Sequence, residues 1–267
     1  MSEKEENVLT RIMWQRKKDV ADAKRAVSIN ELLWEAEKRT AYHSLSAALR
    51  AGPEPRIIAE VKKASPSAGE LRRHYDASAI AQSYGAAGAT AISVLTEPHH
   101  FLGSLDDLRK VRKVMNIPVL RKDFIAETYQ LAEAAARGAD VVLLIVAALE
   151  PGHCEILYRE ALELNLEVIV EVHDRAELDV ALACGEAIIG VNSRNLKTLV
   201  TDLEVAHSLA GDIPDDRLCI AESGIRTAED ILKLQAAGYD GFLIGESLLR
   251  EAHPGQALRA LIKEVRD

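Results

Sequence analysis

A chain of 267 residues, 48% hydrophobic and 28% charged, has the composition of an ordinary globular protein with enough apolar mass for a sizeable core. A net charge of −9 argues against a nucleic-acid or acidic-membrane partner, since both need basic surface, so any anionic ligand must be held by local groups. Cys154, Cys184 and Cys219 are far apart and form no CxxC pair, which suits reduced thiols buried as small hydrophobes in a cytoplasmic protein.

The N-terminal stretch MSEKEENVLTRIMWQRKKDV carries charge throughout and lacks the apolar segment of a secretory leader. Val8, Leu9, Ile12 and Met13 then fall at helical spacing, and Ser28-Ile29-Asn30-Glu31 has the form of a capping box opening a second helix. Residues 1–50 are therefore expected to form an N-terminal helical extension, with Trp14 and Trp34 as packing residues on it. Ala51-Gly52-Pro53-Glu54-Pro55 breaks that pattern.

From Arg56 onward, short Val- and Ile-rich runs recur: RIIAEV, ATAISVL, IPVLRKD, ADVVLLIV, LEVIVEV, AIIGVN, RLCIAES and DGFLIG. Their starts lie roughly 20 to 35 residues apart, with helical stretches between them such as 77–87, 105–115, 128–137 and 228–237. Near-continuous apolar strands alternating with helices indicate parallel strands covered from outside. Gly88, Gly138, Gly185 and Gly238 each follow a helix, as left-handed caps would. The longest apolar run, Val141 to Leu149, is about half of what a membrane span needs. Eight strands and their helices predict an α/β protein, a (β/α)8 barrel forming one domain over 1–267. A doubly wound open sheet is the alternative, weakened by the lack of G-x-G-x-x-G after the first strand.

Barrel enzymes carry their sites at the strand C-termini, and side chains alternate in direction along a strand. The polar residues that share parity with inward apolar ones are therefore the informative ones. Glu60 and Lys62 follow Ile58; Lys122 and Phe124 follow Leu120; Glu171 follows Ile169. Gly190, Asn192 and Arg194 follow Ile188, and Glu222 and Gly224 follow Ile220. One such charge alone reads as a solvated rim residue or a structural ion pair. Repetition on five strands points to chemistry, because so many ionisable groups at the end of a packed core are costly otherwise. Ser223-Gly224 after the seventh strand and Gly245-Glu246-Ser247 after the eighth sit where this fold binds phosphate, and glycine lets backbone N–H groups approach an anion. His99 and His100 are adjacent on a loop, poor spacing for chelation, so no metal is assigned.

Taken together, IIAEVKKASPSAG, AISVLTEPHHFLGSLDDL, PVLRKDFI, IVEVHD, IGVNSRNL, AESGI and LIGESLL resemble, in order, the strand-end motifs of indole-3-glycerol phosphate synthases. The helical extension resembles that family's too, where it helps cover the active-site mouth. The resemblance implies closure of an indole ring on 1-(2-carboxyphenylamino)-1-deoxyribulose 5-phosphate with loss of carbon dioxide and water, using no cofactor. It makes Lys122 the general acid of ring closure and Glu171 the base of dehydration. It has Lys62 bind the substrate carboxylate, and Glu60, Asn192 and Glu222 orient and polarise the reacting groups. Phe124 would border the aromatic ring, with Leu243 beside the substrate, and Ser65, Arg194, Ser223, Gly224, Gly245 and Glu246 would surround the phosphate. Many members have Ser where this chain has Glu246, whose carboxylate is expected to point away from the anion. Rival readings are another phosphate-binding barrel such as phosphoribosylanthranilate isomerase, disfavoured by the two-lysine, three-carboxylate mouth, and a non-catalytic scaffold. The expected partner is a small phosphorylated substrate, acted on by a monomer.

Overall fold

A computed structural model describes residues 7–267; the first six residues of the charge-rich N-terminal stretch lie outside the described residues. The Val- and Ile-rich runs form eight parallel strands: β1 (Ile57–Val61), β2 (Ala91–Leu95), β3 (Val119–Lys122), β4 (Val141–Ile145), β5 (Glu167–Val172), β6 (Ile188–Asn192), β7 (Cys219–Glu222) and β8 (Gly241–Ile244). Each pairs with its sequence neighbours, and β8 closes on β1 through Ile57 opposite Phe242 and Ile58 opposite Leu243. The barrel is the expected one.

Strand alternation divides the apolar residues into two cores. Ile58, Leu120, Leu143, Ile169, Ile188, Ile220 and Leu243 fill the interior. Ile57, Val94, Val142, Val170, Ile189 and Phe242 face outward and pack with residues of the surrounding helices. The helices are α4 (Ala77–Ala87), α5 (Leu105–Val114), α6 (Thr128–Arg137), α7 (His153–Glu163), α8 (Arg175–Leu182), α9 (Glu204–Ala210), α10 (Ala228–Ala236), and, after β8, α11 (Glu246–Leu249) and α12 (Pro254–Arg266). Gly88 and Gly138 end α4 and α6 with φ of 101° and 92°, a conformation costly for a residue with a Cβ. Cys154, Cys184 and Cys219 are buried free thiols. Among the described residues no helix is long and apolar enough to cross a membrane.

The N-terminal extension is three helices, one more than the two read from the sequence: α1 (Val8–Ala26), α2 (Ile29–Glu37) and α3 (Leu45–Ala51). Ser28 and Glu31 form the expected reciprocal capping box at α2. The two ends of the extension serve opposite ends of the barrel. Leu9 and Ile12 of α1 join the interior cluster at the C-terminal mouth, while Leu45 and Leu49 of α3, both fully buried, join it from the floor. Arg16 fixes α1 through a bidentate pair to the buried Asp123, at 3.0 and 2.9 Å. The tryptophans differ from expectation. Trp14 and Trp34 are 58% and 61% exposed, because both lie on the outward faces of their helices, with Lys18 and Lys38 over their rings.

Candidate active site

At the C-terminal ends of the strands a cavity of about 880 Å³ opens, lined by every residue given a catalytic or substrate-binding role above except Glu222. Glu222 lies just beneath the lining, at the end of β7, fully buried. Glu60 is the fourth residue of β1 and Lys62 follows the strand, so both face the cavity and pair at 2.5 Å. Lys122 ends β3. Its ammonium donates to the Glu222 carboxylate and stands 3.8 Å from Glu171 Oε2 on β5. Asn192 ends β6, and its Oδ1 accepts the Arg194 backbone N–H at 2.9 Å. Gly190 makes room for this arrangement: a Cβ there would come within 2.5 Å of Glu222 Oε1 and 2.7 Å of Ile169 Cγ2.

These charges set one another's protonation. Burial alone would make Lys122 give up its proton, but Glu222, Glu171 and Glu60 outweigh it and push its pKa up, so the group stays an ammonium. Burial would likewise raise Glu60, yet Lys62, Lys122 and Arg194 hold it below the usual carboxylate range. In Glu222 burial wins: with Glu171 adding repulsion, its pKa is pushed up to about 7 despite Lys122. Carboxylates of the same type are thus driven apart by position, which is how a site assigns acid and base roles.

On the other side of the cavity the backbone turns sharply. Ser223 and Gly224 both take left-handed conformations, with φ of 66° and 83°, so successive N–H groups after β7 form a concave turn. Gly245 precedes α11, and a Cβ there would lie 2.3 Å from Glu60 Oε1. Arg194 Nη1 donates to Ser67 Oγ at 2.8 Å, and Ser65 Oγ is 3.4 Å from Ser67 Oγ, which joins the loop after β1 to the end of β6. Glu246 does not turn away. Its Oε1 accepts from Arg250 Nε and Nη2 at 3.1 and 2.8 Å, and its Oε2 lies 3.6 Å from Arg194 Nη2. Two flanking guanidinium groups offer the carboxylate more than solvent does.

The apolar wall joins Phe124 to Phe101, ring centroids 6.0 Å apart, with Leu143, Ile145 and Leu243 nearby. Phe101 was not singled out from sequence. It is positioned by Glu97, whose fully buried carboxylate accepts the backbone N–H groups of His99, His100 and Phe101 at 3.0, 2.6 and 2.9 Å. Val8, Leu9 and Ile12 of α1 also line the cavity and were read only as helical. His173 was missed as well, although continuing the parity of Ile169 and Glu171 by one step lands on it. Its ring lies 3.4 Å from Glu171.

Paired ammonium and carboxylate groups over the C-terminal end of a closed (β/α)8 barrel, beside a backbone turn open to an anion, define a barrel enzyme suited to proton-transfer chemistry. Solved structures share the fold. The alpha subunit of tryptophan synthase from Legionella pneumophila superposes with a TM-score of 0.60 at 15% identity, covering 85% of this chain and 98% of that one. Thiamine phosphate pyrophosphorylase from Pyrococcus furiosus gives 0.61 at 17% identity, covering 84% and 98%. At such identities the likeness establishes the fold alone. Sequence comparison is more specific. The indole-3-glycerol phosphate synthase profile matches residues 9–261. Indole-3-glycerol phosphate synthase of Mycolicibacterium gilvum is 47% identical over 255 residues, 96% of this chain and 93% of its own length. That of Polaromonas naphthalenivorans is 41% identical over 261 residues, 97% and 99%. The chain belongs to the indole-3-glycerol phosphate synthase family, decarboxylating lyases of tryptophan biosynthesis.

Proposed function

We propose that the cavity closes the indole ring of 1-(2-carboxyphenylamino)-1-deoxyribulose 5-phosphate with the division of labour that these positions suggest. The observation that carries the reading is the Lys122 ammonium held between Glu222 and Glu171 at the mouth, beside an apolar wall that includes Phe124 and Leu243. The ring carbon bearing the carboxylate attacks the ribulose carbonyl, and Lys122 protonates the oxygen as negative charge develops on it. Carbon dioxide leaves with its bonding electrons returned to the ring. The new hydroxyl then departs as water, protonated by an ammonium for which Lys62 is suited, while Glu171 takes the proton released as the five-membered ring becomes aromatic. Glu60 pairs with Lys62 and holds its side chain at the mouth, where it suits binding of the substrate carboxylate. Asn192 and Glu222 orient and polarise the reacting groups.

Phe124 and Leu243 suit contact with the aromatic ring. Ser65, Arg194, Ser223, Gly224, Gly245 and the backbone of Glu246 suit the phosphate, which displaces the Glu246 side chain from Arg194. All these residues come from one chain, which supports a monomeric catalytic unit. The acidic net charge and reduced thiols support a cytoplasmic enzyme without nucleic-acid partners. Adding the carboxyphenylamino substrate to purified protein should produce indole fluorescence and one equivalent of carbon dioxide. Absence of both rejects the assignment.

A further inference from the structure

Immediately after β5 the chain places His173 between two carboxylates. Its Nδ1 lies 3.0 Å from Glu177 Oε2, and the same oxygen accepts the His173 backbone N–H at 2.8 Å. Glu177 is itself fixed in the first turn of α8, where its own N–H donates to Asp174 Oδ1 at 2.9 Å. The other ring nitrogen, Nε2, faces Glu171 Oε1 at 3.4 Å. Both of these atoms are sealed from solvent, and neither completes a hydrogen bond among the described residues. Glu171 is thus divided, one oxygen toward Lys122 and the other toward an imidazole.

We propose that His173 is a positioning residue for Glu171: anchored by Glu177, it presents Nε2–H to Oε1, turning Oε2 toward the reacting groups and setting a positive charge beside the carboxylate. A bare Nε2 would set a lone pair against a carboxylate oxygen in a dry site, leaving two buried polar atoms unsatisfied. With Nδ1–H donating to Glu177 and Nε2–H to Glu171, the ring is an imidazolium. The groups facing it agree. Burial opposes its charge, but Glu177 on α8, Glu171 on its own strand and Glu222 on β7 raise its pKa above the ordinary 6.5. Lys122 on β3 reaches it only through Glu171, on the far oxygen.

The inference rests on Glu171 being the base, so its test separates the two. A base must be deprotonated, so taking a cation away from beside it should cost kcat/KM on the acid side of the pH profile. In His173→Asn the acid limb should move to higher pH by about one unit, the lower range for loss of an adjacent opposite charge. Glu177→Gln should move it the same way by less. In the unchanged protein, nitrogen NMR should show the His173 ring titrating above 6.5 and falling when Glu171→Gln removes its partner. An acid limb unmoved in both His173→Asn and Glu177→Gln, or a His173 ring titrating at or below its ordinary value, overturns the proposal. Should His173→Asn fail to fold, Glu177→Gln and the NMR titration decide alone. Near-normal turnover in Glu171→Gln instead removes the base role, whatever the His173 titration shows.

Discussion

At the N-terminal end of the barrel, Asp140 accepts the Val119 and His43 backbone N–H groups at 2.9 and 3.1 Å and pairs with Arg39 and, at 2.7 Å, with Arg112. Glu167 beside it takes Ser44 Oγ and the N–H groups of Leu45 and Ser46 at 2.7, 2.6 and 3.0 Å. Among the described residues, the C-terminal end instead leaves one oxygen each of Glu171 and Glu222, the Ser193 hydroxyl and His173 Nε2 buried without partners. At the floor these two carboxylates are tied off by several donors each and so contribute stability. The mouth leaves carboxylate oxygens without a full set of donors, a cost that a reactive site carries and a structural one avoids.

If that contrast is right, substitutions should separate turnover from stability by barrel end. Lys122→Met at the mouth should show the largest effect, lowering kcat by about 10²- to 10⁴-fold while the unfolding transition stays in place. Near-normal turnover would take Lys122 out of its role. Leu49→Ala at the floor should do the reverse, costing about 2–5 kcal/mol in denaturant unfolding through lost burial and a cavity, with turnover per folded molecule preserved. Loss of activity without loss of stability there would blur the two ends.

Glu222 allows a finer test. Its pKa is raised from 4.5 to about 7, so between those values the folded state holds a proton that the unfolded chain lacks. The stability this contributes is complete below about pH 4.5 and is lost as pH rises through about 7. Glu222→Gln should flatten the decline, a change on the order of 1–3 kcal/mol across the interval. An unchanged stability–pH slope would mean that Glu222 titrates normally. Smallest of all, Trp34→Ala on the exposed face of α2 should move stability by no more than about 0.5 kcal/mol. A larger loss would show that the outer face of the extension packs against something.

The barrel and most of the mouth were legible because both follow from local rules. Two-residue alternation fixed which of Glu60, Lys122, Glu171 and Asn192 face inward once Ile58, Leu120, Ile169 and Ile188 were recognised as core. What escaped depends on contacts distant in sequence. Helical spacing identified Leu9 and Ile12 as one face of α1 but could not say that this face meets the mouth. Nothing near Trp14 or Trp34 distinguishes a buried face from an exposed one. Phe101 owes its place to a carboxylate that ties up three consecutive N–H groups, a geometry with no composition signature. Glu246 was expected to avoid an anion, yet it lies between Arg250, one helical turn on, and Arg194, 52 positions earlier in the chain, and the second of these neighbours has no local signal.

Arg16 carries one more consequence. The carboxylate that anchors α1 lies 107 residues further along the chain. Leu49 at the other end of the extension packs against Gly241, the first residue of the strand that completes the cylinder. During synthesis the extension therefore has nowhere to dock until much later. Its helices must wait, solvated and held by their own caps, until the parts of the barrel that receive them have been made.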